Sequence, residues 1–510
     1  MNLFELIRRA IPSRDKVFLE TGAGAAMTYG DMLARSAQLA NILVLSGVEP
    51  GDRVAAQVEK SAENLLLYLA TLRAGAVYLP LNTAYTPAEL DYFIGDSEPK
   101  LFVCDPAKRA ALAPIAEKHG VTALETLDAN GKGSLTDAAD GAPKDFADVP
   151  REDDDLAAIL YTSGTTGRSK GAMLTHRNLS SNAQVLVDYW RFTDRDVLLH
   201  ALPVYHTHGL FVASNTVMLS GGSMIWLSKF DADEVMRHLP RATSMMGVPT
   251  FYTRLLKHPG LTREACAHMR LFTSGSAPLL AETHIEFKQR TGHAILERYG
   301  MTETNMNTSN PYDGDRIAGT VGFPLPGVEL RIADPETGRV LPQGDVGGIE
   351  VRGPNVFSGY WRMPEKTKSE FRADGFFITG DVGKIDERGY VHIVGRAKDL
   401  IITGGFNVYP KEIESEIDAL PGVVESAVIG CPHPDFGEGV TAVVVCKPGA
   451  TLTEKSIVTE LEQRLARFKL PKRVIFVADL PRNSMGKVQK NVLREQNASI
   501  YDNAARKQPA

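Results

Sequence analysis

A glycine- and hydroxyl-rich stretch, residues 161–171 (YTSGTTGRSKG), is the part of this sequence best suited to chemistry. Glycine lets a backbone approach anionic oxygens closely, and its N–H groups can point at them. Lys170 adds a positive point charge. The spacing does not fit a Walker A loop, because Lys170 follows Ser169 and Gly171 stands where Ser or Thr would bind magnesium. The stretch therefore indicates a phosphate loop of another kind, or a polar turn between two elements.

Residues 197–228 form a second candidate region, because they contain no Asp, Glu, Lys or Arg. That length would suit a membrane span. However, His200, His206 and His208 interrupt it, together with Pro203. We therefore expect buried elements that carry polar side chains into a site, and no transmembrane helix. For His200 and His208 we expect hydrogen-bonded core histidines.

The elements that must position these residues alternate between strand and helix patterns. The apolar run 156–160 predicts a buried strand before the loop, and residues 172–186 predict a helix that begins only after more loop. Residues 1 to about 125 and 156 to about 315 show the same rhythm, which favours parallel sheets flanked by helices. The Gly-, Asp- and Ala-rich residues 126–155 are expected to form an exposed connection.

The pattern of the sequence changes after residue 315. Short β-like runs between Gly, Pro and Asp turns predict a small antiparallel or barrel-like β subdomain over about 316–395. Residues 400–510 then mix helix and strand patterns, which indicates a compact α+β domain. The predicted fold class is therefore α/β with several domains, in which 1–395 forms a large N-terminal domain and 396–399 a hinge.

Composition excludes several classes of protein. The chain has 510 residues, too many for one core, and a net charge of -6, which argues against general nucleic-acid binding. Its four cysteines are far apart, so a disulfide framework or zinc site is not expected and a reducing, cytoplasmic location fits. Glu5 interrupts the apolar N-terminus, which makes it a poor signal peptide.

Seven motifs together resemble the adenylate-forming acyl-CoA synthetases, the superfamily that also contains peptide-synthetase adenylation domains and firefly-type luciferases. They cover nearly the whole chain and stand in the family's order: TSGTTGRSKG (162–171), PVYHTHG (203–209), TSGSA (273–277), YGMTE (299–303), TGD (379–381), GRAKD (395–399) and PRNSMGK (481–487). The resemblance implies a large N-terminal domain of α/β subdomains plus a β subdomain, hinged to a small mobile C-terminal lid domain.

The resemblance also implies a reaction in two steps, with ATP, Mg²⁺ and coenzyme A. A carboxylate attacks the α-phosphate of ATP, which releases pyrophosphate and leaves an acyl-adenylate. A thiol then displaces AMP and forms a thioester. Adenylation supplies the good leaving group that a free carboxylate lacks.

Roles follow motif by motif from this resemblance. The residues implied in ATP or AMP binding are Thr162, Ser163, Gly164, Thr165, Thr166, Gly167, Lys170, Ser274, Gly275, Ser276, Ala277, Glu297, Tyr299, Gly300, Met301, Thr302, Asp381, Arg396 and Lys487. Among them, Tyr299 would stack on adenine and Asp381 would accept from the ribose hydroxyls. Outside this context Tyr299 would be interpreted as a core residue, and a lone glutamate as a solvated charge.

Catalysis, metal binding and CoA binding are implied for a smaller set. The resemblance gives catalytic roles to Lys487, His206, Thr165 and Glu303, magnesium to Glu303 and Thr165, the hinge to Lys398, and CoA to Gly404, Gly405 and Phe406. Lys487 would bridge the attacking carboxylate and the α-phosphate, because a cation between two anions lowers their repulsion. An exposed-looking segment surrounds Lys487, so we also expect that an acetyltransferase and a deacetylase could act on it.

The prediction of which carboxylic acid is the substrate depends on Arg298. The resemblance places its side chain beside the acyl group, with His206 and Ser276. A buried arginine needs a counterion, and its planar fork matches a carboxylate. The alternative is an arginine paired with Glu297 or Glu303, or turned to solvent. Residues 297–304 are similar to the malonyl-CoA synthetases, so we expect a short dicarboxylic acid, malonate before methylmalonate.

Other functions remain as alternatives. A CoA ligase for a medium-chain fatty or aryl acid is the runner-up, and a pocket without Arg298 would favour it. A peptide-synthetase module fits less well, since no carrier domain follows Lys490. A non-catalytic nucleotide-binding protein would bind ATP without releasing pyrophosphate.

Overall fold

The computed structural model describes residues 1–162, 169–404, 406–483 and 486–501. The chain divides into two compact units. The first comprises Met1–Ala318, Gly322–Glu329 and Val351–Phe377, and the second comprises Gly319–Val321, Leu330–Glu350 and Ile378–Ala510. The mixture of helices with several sheets confirms the predicted α/β fold class.

Two large sheets form the frame of the first unit. In spatial order the nine-stranded sheet contains β15 (Phe323–Pro324), β14 (Asn305–Ser309), β13 (Leu296–Met301), β12 (Leu271–Ser274), β11 (Ser244–Gly247), β9 (Val197–His200), β10 (Ser223–Trp226), β1 (Val17–Thr21) and β2 (Ala26–Thr28). The seven-stranded sheet contains β18 (Gly359–Tyr360), β8 (Lys170–Thr175), β7 (Leu156–Thr162), β4 (Val77–Pro80), β3 (Arg53–Gln57), β5 (Leu101–Cys104) and β6 (Ala123–Thr126).

The helices of the first unit pack on these sheets. They are α1 (Leu3–Ala10), α2 (Tyr29–Leu45), α3 (Ala62–Arg73), α4 (Pro87–Ser97), α5 (Arg109–Lys118), α6 (Ser134–Ala139), α7 (His176–Tyr189), α8 (Asn215–Ser220), α9 (Ala232–His238), α10 (Pro249–Leu256), α11 (Ala281–Thr291) and α12 (Pro364–Ser369). Most central strand pairs are parallel, as the alternating pattern predicts. Their carboxyl ends meet at one edge, where β12 and β13 deliver the motifs at 273–277 and 299–303.

Two local predictions are wrong. The loop expected after residue 171 is the strand β8, which pairs antiparallel with β7 so that Lys170 lies opposite Thr162. Strand formation there depends on its neighbour in the sheet, which a local helix pattern does not reveal. The connection expected to be exposed contains α6, whose Leu135 and Ala139 are buried.

Smaller sheets form the second unit. One contains β16 (Glu329–Ala333), β17 (Gly347–Arg352), β19 (Phe377–Ile385) and β20 (Val391–Arg396). The other contains β22 (Phe406–Val408), β21 (Ile401–Thr403), β24 (Gly437–Cys446) and β23 (Val423–His433), with β25 (Arg473–Val477) beside β24. The remaining helices are α13 (Pro410–Asp418), α14 (Glu454–Glu462) and α15 (Lys490–Gln496).

The charge-free region 197–228 folds as buried elements of the first unit. Strand β9 is followed by a π-helix over His208–Ser214, then by α8 and β10. Across the described ranges, no helix is long and apolar enough to cross a membrane. All four cysteines are free.

Candidate active site

Most of the predicted phosphate loop lies outside the described residues: Ser163, Gly164, Thr165, Thr166 and Gly167. Its two flanks are described. Thr162 ends β7 and donates from its hydroxyl to the carbonyl of Lys170 over 3.4 Å. The β7–β8 pairing therefore brings both ends of the loop together.

Tyr360 joins the predicted phosphate lysine to the predicted magnesium glutamate. The Lys170 ammonium lies 4.2 Å from the centroid of the Tyr360 ring, and the Tyr360 hydroxyl donates to Glu303 Oε1 over 2.9 Å. Desolvation lowers the pKa of Lys170, while Glu370 and Glu303 act in the opposite direction. Sequence reasoning missed Tyr360, since its partner strand β8 was not predicted. This corner holds the Lys170 ammonium near the buried Glu303, and Glu370 Oε1 lies 4.0 Å from the same ammonium.

The motif at 273–277 begins at the end of β12. Ser274 is buried, Gly275 donates from its backbone N–H to the carbonyl of Gly247, and Ser276 has a φ of 70°. A Cβ at Gly275 would lie 2.2 Å from Arg298 Nη1. Glycine is therefore required there, because the Arg298 guanidinium lies directly against the backbone. Ala277 follows in the same loop.

The motif at 297–303 occupies β13 and its turn. The predicted adenine-site residues Tyr299, Gly300, Met301 and Thr302 lie at the carboxyl end of this strand and are partly buried. Glu297 is buried and its Oε1 accepts from the backbone N–H of Leu279 over 3.2 Å. Strand β14 holds the segment from the other side, with Arg298 opposite Ser309.

Arg298 is 2% exposed, and within the described part of the chain neither its Nε nor its Nη2 has a hydrogen-bond partner. The alternative of a pair with Glu297 or Glu303 is wrong, since neither the Nε nor the Nη2 of Arg298 reaches a described carboxylate and neither glutamate contributes to the shift of its pKa. Desolvation lowers the pKa of Arg298 to about 9, so it stays charged at neutral pH. A buried cation without a protein carboxylate is costly.

His208 stands beside Arg298 and was not expected to face a site. Its Nδ1 lies 3.2 Å from Ser276 Oγ, whereas its Nε2 has no hydrogen-bond partner among the described residues. Burial, and then the positive charge of Arg298, hold the pKa of His208 far below its usual value, so the ring is neutral. Ser276, Arg298 and His208 thus form a buried polar cluster with unmet hydrogen-bonding capacity. The expectation of a satisfied core histidine is wrong for His208.

The other two histidines differ from each other. His200 is satisfied, as expected: its Nδ1 lies 2.9 Å from the buried Lys60 ammonium, and its Nε2 lies 2.9 Å from the Gly209 carbonyl oxygen. His206 accepts at Nδ1 from the backbone N–H of His208 over 3.3 Å. His206 is only partly buried.

The second unit groups its own predicted site residues. Strands β19 and β20 place Asp381 opposite Arg396, whose Nε lies 2.7 Å from Asp381 Oδ1. Desolvation and the charge of Arg396 lower the pKa of Lys487, while Asp381 and Asp399 oppose this shift. Desolvation lowers the pKa of the predicted hinge residue Lys398 to about 8, with neighbouring cations contributing. Ribose, catalytic and hinge predictions thus fall on one charged cluster.

Two of the predicted CoA residues are described: Gly404 follows β21 and Phe406 begins β22. Gly404 donates from its backbone N–H to the Phe436 carbonyl over 2.9 Å, and Gly405 is outside the described residues. Phe406 is 54% exposed and stacks on Phe468 with ring centroids 4.6 Å apart. An exposed aromatic beside a glycine turn is a suitable surface for a partly apolar ligand.

Two family models match successive parts of the chain. The model of the AMP-binding enzymes matches residues 8–361, and that of the AMP-binding enzyme C-terminal domain matches residues 412–487. Among solved structures, ATP-bound MatB from Rhodopseudomonas palustris is 68% identical with a TM-score of 0.96, covering 98% of this chain and 99% of that one.

Two curated relatives act on different acids. The mitochondrial malonate–CoA ligase ACSF3 of Mus musculus is 37% identical over 98% of this chain and 91% of its own length. Feruloyl-CoA synthase of an Amycolatopsis species is 38% identical over 96% of this chain and 97% of its own length. These two relatives alone, at nearly equal identity, do not distinguish between the two acids.

Proposed function

Because this chain belongs to the family of AMP-binding enzymes, we propose that it ligates malonate to coenzyme A at the expense of ATP. The reaction proceeds through malonyl-adenylate and releases pyrophosphate and then AMP. One observation carries the choice of acid: Arg298 is buried, charged and without a carboxylate partner among the described residues.

The first step needs positive charge around the phosphates. Lys170 would hold the β and γ phosphates with the loop residues 163–167, and Lys487 would stand between the malonate carboxylate and the α-phosphate. Proteins usually hold Mg²⁺ through one or two carboxylates, and the phosphates of the substrate complete its coordination. The buried carboxylate of Glu303 would suit this role. The ion would neutralise part of the phosphate charge. Arg396 and Asp381 would hold the ribose and phosphate side of the nucleotide.

Malonate fits the cluster of Ser276, Arg298 and His208. One carboxylate reacts, and the other would accept from the free Nε and Nη2 of Arg298 and, with the proton on Nε2, from neutral His208. A monocarboxylic acid would leave these donors unpaired, which costs affinity. Methylmalonate keeps both carboxylates and is the second substrate that we propose.

The aryl or medium-chain acid remains the alternative function, and the feruloyl-CoA synthase relative favours it. A bulky apolar acid would bury Arg298 without a counterion, which is the physical reason for placing it second. Pyrophosphate release measured across malonate, methylmalonate, butyrate and ferulate separates the two functions.

The deciding variant is Arg298→Ala. We expect kcat/KM for malonate to fall about 100-fold or more, with a much smaller change for butyrate, since removing a charged partner is selective for the acid that uses it. Arg270→Met is a matched control, because Arg270 is paired with Asp196 over 2.6 Å in the same unit. Unchanged use of malonate by Arg298→Ala would contradict the proposal.

The second step would follow a rotation of the C-terminal domain about residues 396–399, with the domain boundary at 395. Lys398 would be the hinge residue, and Gly404, Gly405 and Phe406 would contact CoA. Limited proteolysis with and without malonyl-adenylate tests the hinge: cleavage at 396–399 should change between the two states.

Regulation and location complete the proposal. Acetylation of Lys487 by an acetyltransferase would remove its charge and stop adenylation, and a deacetylase would restore it. The enzyme would act in the cytoplasm. Mass spectrometry of the protein from cells, with activity before and after deacetylation, and fractionation of those cells would test both points.

A further inference from the structure

Lys487 lies on one of two short paired segments, 482–483 and 486–488, and the side chain of Arg482 connects the two segments. Arg482 and Val488 form an antiparallel bridge, and Asn483 donates from its backbone N–H to the carbonyl of Lys487 over 3.0 Å. The backbone N–H of Lys487 donates back to Asn483 Oδ1 over 2.9 Å. The main chain of the predicted catalytic lysine is therefore held on both sides.

Gly486 shapes the second of these segments and creates a need for a donor. Its φ of 73° is in the left-handed region. Arg482 Nη1 donates to the Gly486 carbonyl over 2.6 Å. A charged donor from the first segment fixes the peptide that leads directly into Lys487.

Glu425 in turn holds Arg482. The Arg482 Nη2 donates to Glu425 Oε2, and this carboxylate belongs to β23, the 11-residue strand that ends its sheet and pairs with β24. Both side chains are mostly buried, at 26% and 21% exposed. The contact therefore connects the segment 482–488 to the sheet through a partly desolvated ion pair, and removing one partner of such a pair costs more than removing one partner of a surface pair.

We infer that Arg482, fixed by Glu425, is the positioning residue for Lys487. Lysine has a flexible four-carbon stem, so the protein controls its ammonium mainly by fixing the backbone that carries it. A displacement of about 1 Å at a catalytic group can cost about 100-fold in rate. The inference rests on the proposed role of Lys487 in adenylation, and it concerns how that role is prepared.

The two half-reactions provide the test. Arg482→Met keeps most of the volume and removes both contacts. We expect malonate-dependent pyrophosphate release to fall about 10- to 100-fold, while thioester formation from supplied malonyl-adenylate and CoA changes less than about threefold. Glu425→Gln should give a smaller loss in the first half-reaction only, and Arg482→Lys should recover part of it by reaching one partner.

Controls separate positioning from folding and from the proposed function. Arg464→Met removes a surface pair of the same unit, with Glu416 at 3.4 Å, and should leave both half-reactions unchanged. If Lys487→Ala fails to separate the half-reactions, the proposed role of Lys487 falls. The inference about Arg482 is overturned if Lys487→Ala separates the two half-reactions but Arg482→Met does not. That is the case if Arg482→Met slows both half-reactions equally, or if it slows neither.

Discussion

Arg298 in the first unit and Arg396 in the second unit differ in whether a protein carboxylate compensates the charge of the guanidinium. Arg396 has its Nε 2.7 Å from Asp381, whose side chain is 4% exposed. Arg298 is 2% exposed and has unpartnered nitrogens in the part of the chain that the structure describes. The protein itself compensates the first charge, whereas no described carboxylate compensates the second.

This difference separates a general task from a specific one. A paired cation is held in place whether or not a substrate is bound, which suits a nucleotide site common to many acids. Burying a cation without an anionic partner costs free energy. A substrate with a second negative charge supplies that partner, so such a cation favours its binding over that of a substrate without one. The predictions below alter one side of this comparison at a time.

The largest effect is expected in the second unit, from Lys487→Ala. Adenylation should fall by at least about 100-fold, because charge stabilisation between carboxylate and α-phosphate is lost. Thioester formation from supplied malonyl-adenylate should persist, since no phosphate is attacked in that step. Pyrophosphate release and malonyl-CoA formation, measured separately, check this. Equal loss of both would show that Lys487 does not act in adenylation alone.

Gly275→Ala tests the first unit without changing any charge. The new Cβ would lie 2.2 Å from Arg298 Nη1 and must displace the guanidinium. We expect kcat/KM for malonate to fall about 10- to 100-fold, and more than for butyrate. Gly141→Ala is the control, since a Cβ there has nothing within 4 Å. Retention of wild-type selectivity would place the far carboxylate elsewhere.

His208→Leu should give a smaller loss with an opposite effect on stability. The Nε2 of His208 is buried and unpartnered among the described residues, so replacing it removes an unmet polar group from the free enzyme. We expect kcat/KM for malonate to fall about tenfold while the melting temperature stays equal or rises. His284→Leu is the matched control, a buried histidine on α11 whose Nδ1 also lacks a described partner. A lower melting temperature with unchanged kinetics would make His208 purely structural.

The sequence was sufficient for elements with strong local patterns and for residues inside motifs. The strand before the phosphate loop, the alternation of the first unit and the position of Arg298 near residues 273–277 all follow from runs or motifs that are continuous in sequence. Arg298 could be singled out because it directly precedes the motif at 299–303, where the family resemblance places its side chain beside the acyl group.

What could not be predicted depends on contacts between distant segments. Tyr360 donates to Glu303 from strand β18, which pairs with β8. The sequence of β8 was interpreted as a loop before a helix, so this pairing could not be predicted. His208 was taken for a core histidine, since its closeness to Arg298 results from a π-helix and a strand that are far apart in sequence. A site residue outside a motif is visible only once the sheet order is known.

The smallest effect concerns Asp418, a partly buried carboxylate of the second unit whose pKa is strongly raised, and it tests whether that unit compensates all its charges. Burial raises the pKa of Asp418 to about 7, although Lys411 and the Ser426 hydroxyl, which donates over 2.8 Å, favour the ionised form. Glu414 and Glu425 raise it further. Asp418 also ends α13, where the helix dipole disfavours a negative charge.

The sign of the pH dependence follows from this direction. The folded chain holds a proton on Asp418 that the unfolded chain releases, so stability falls as pH rises from about 4 to about 7. Asp418→Asn removes the cost of the ionised form and should stabilise the protein at pH 8 by an amount of the order of 1–2 kcal/mol, with little change at pH 4. Calorimetry of the full chain at both pH values measures this, with the exposed Asp435→Asn as control. An equal shift at both values would mean that the amide acts through packing, and that Asp418 is compensated as completely as Asp381.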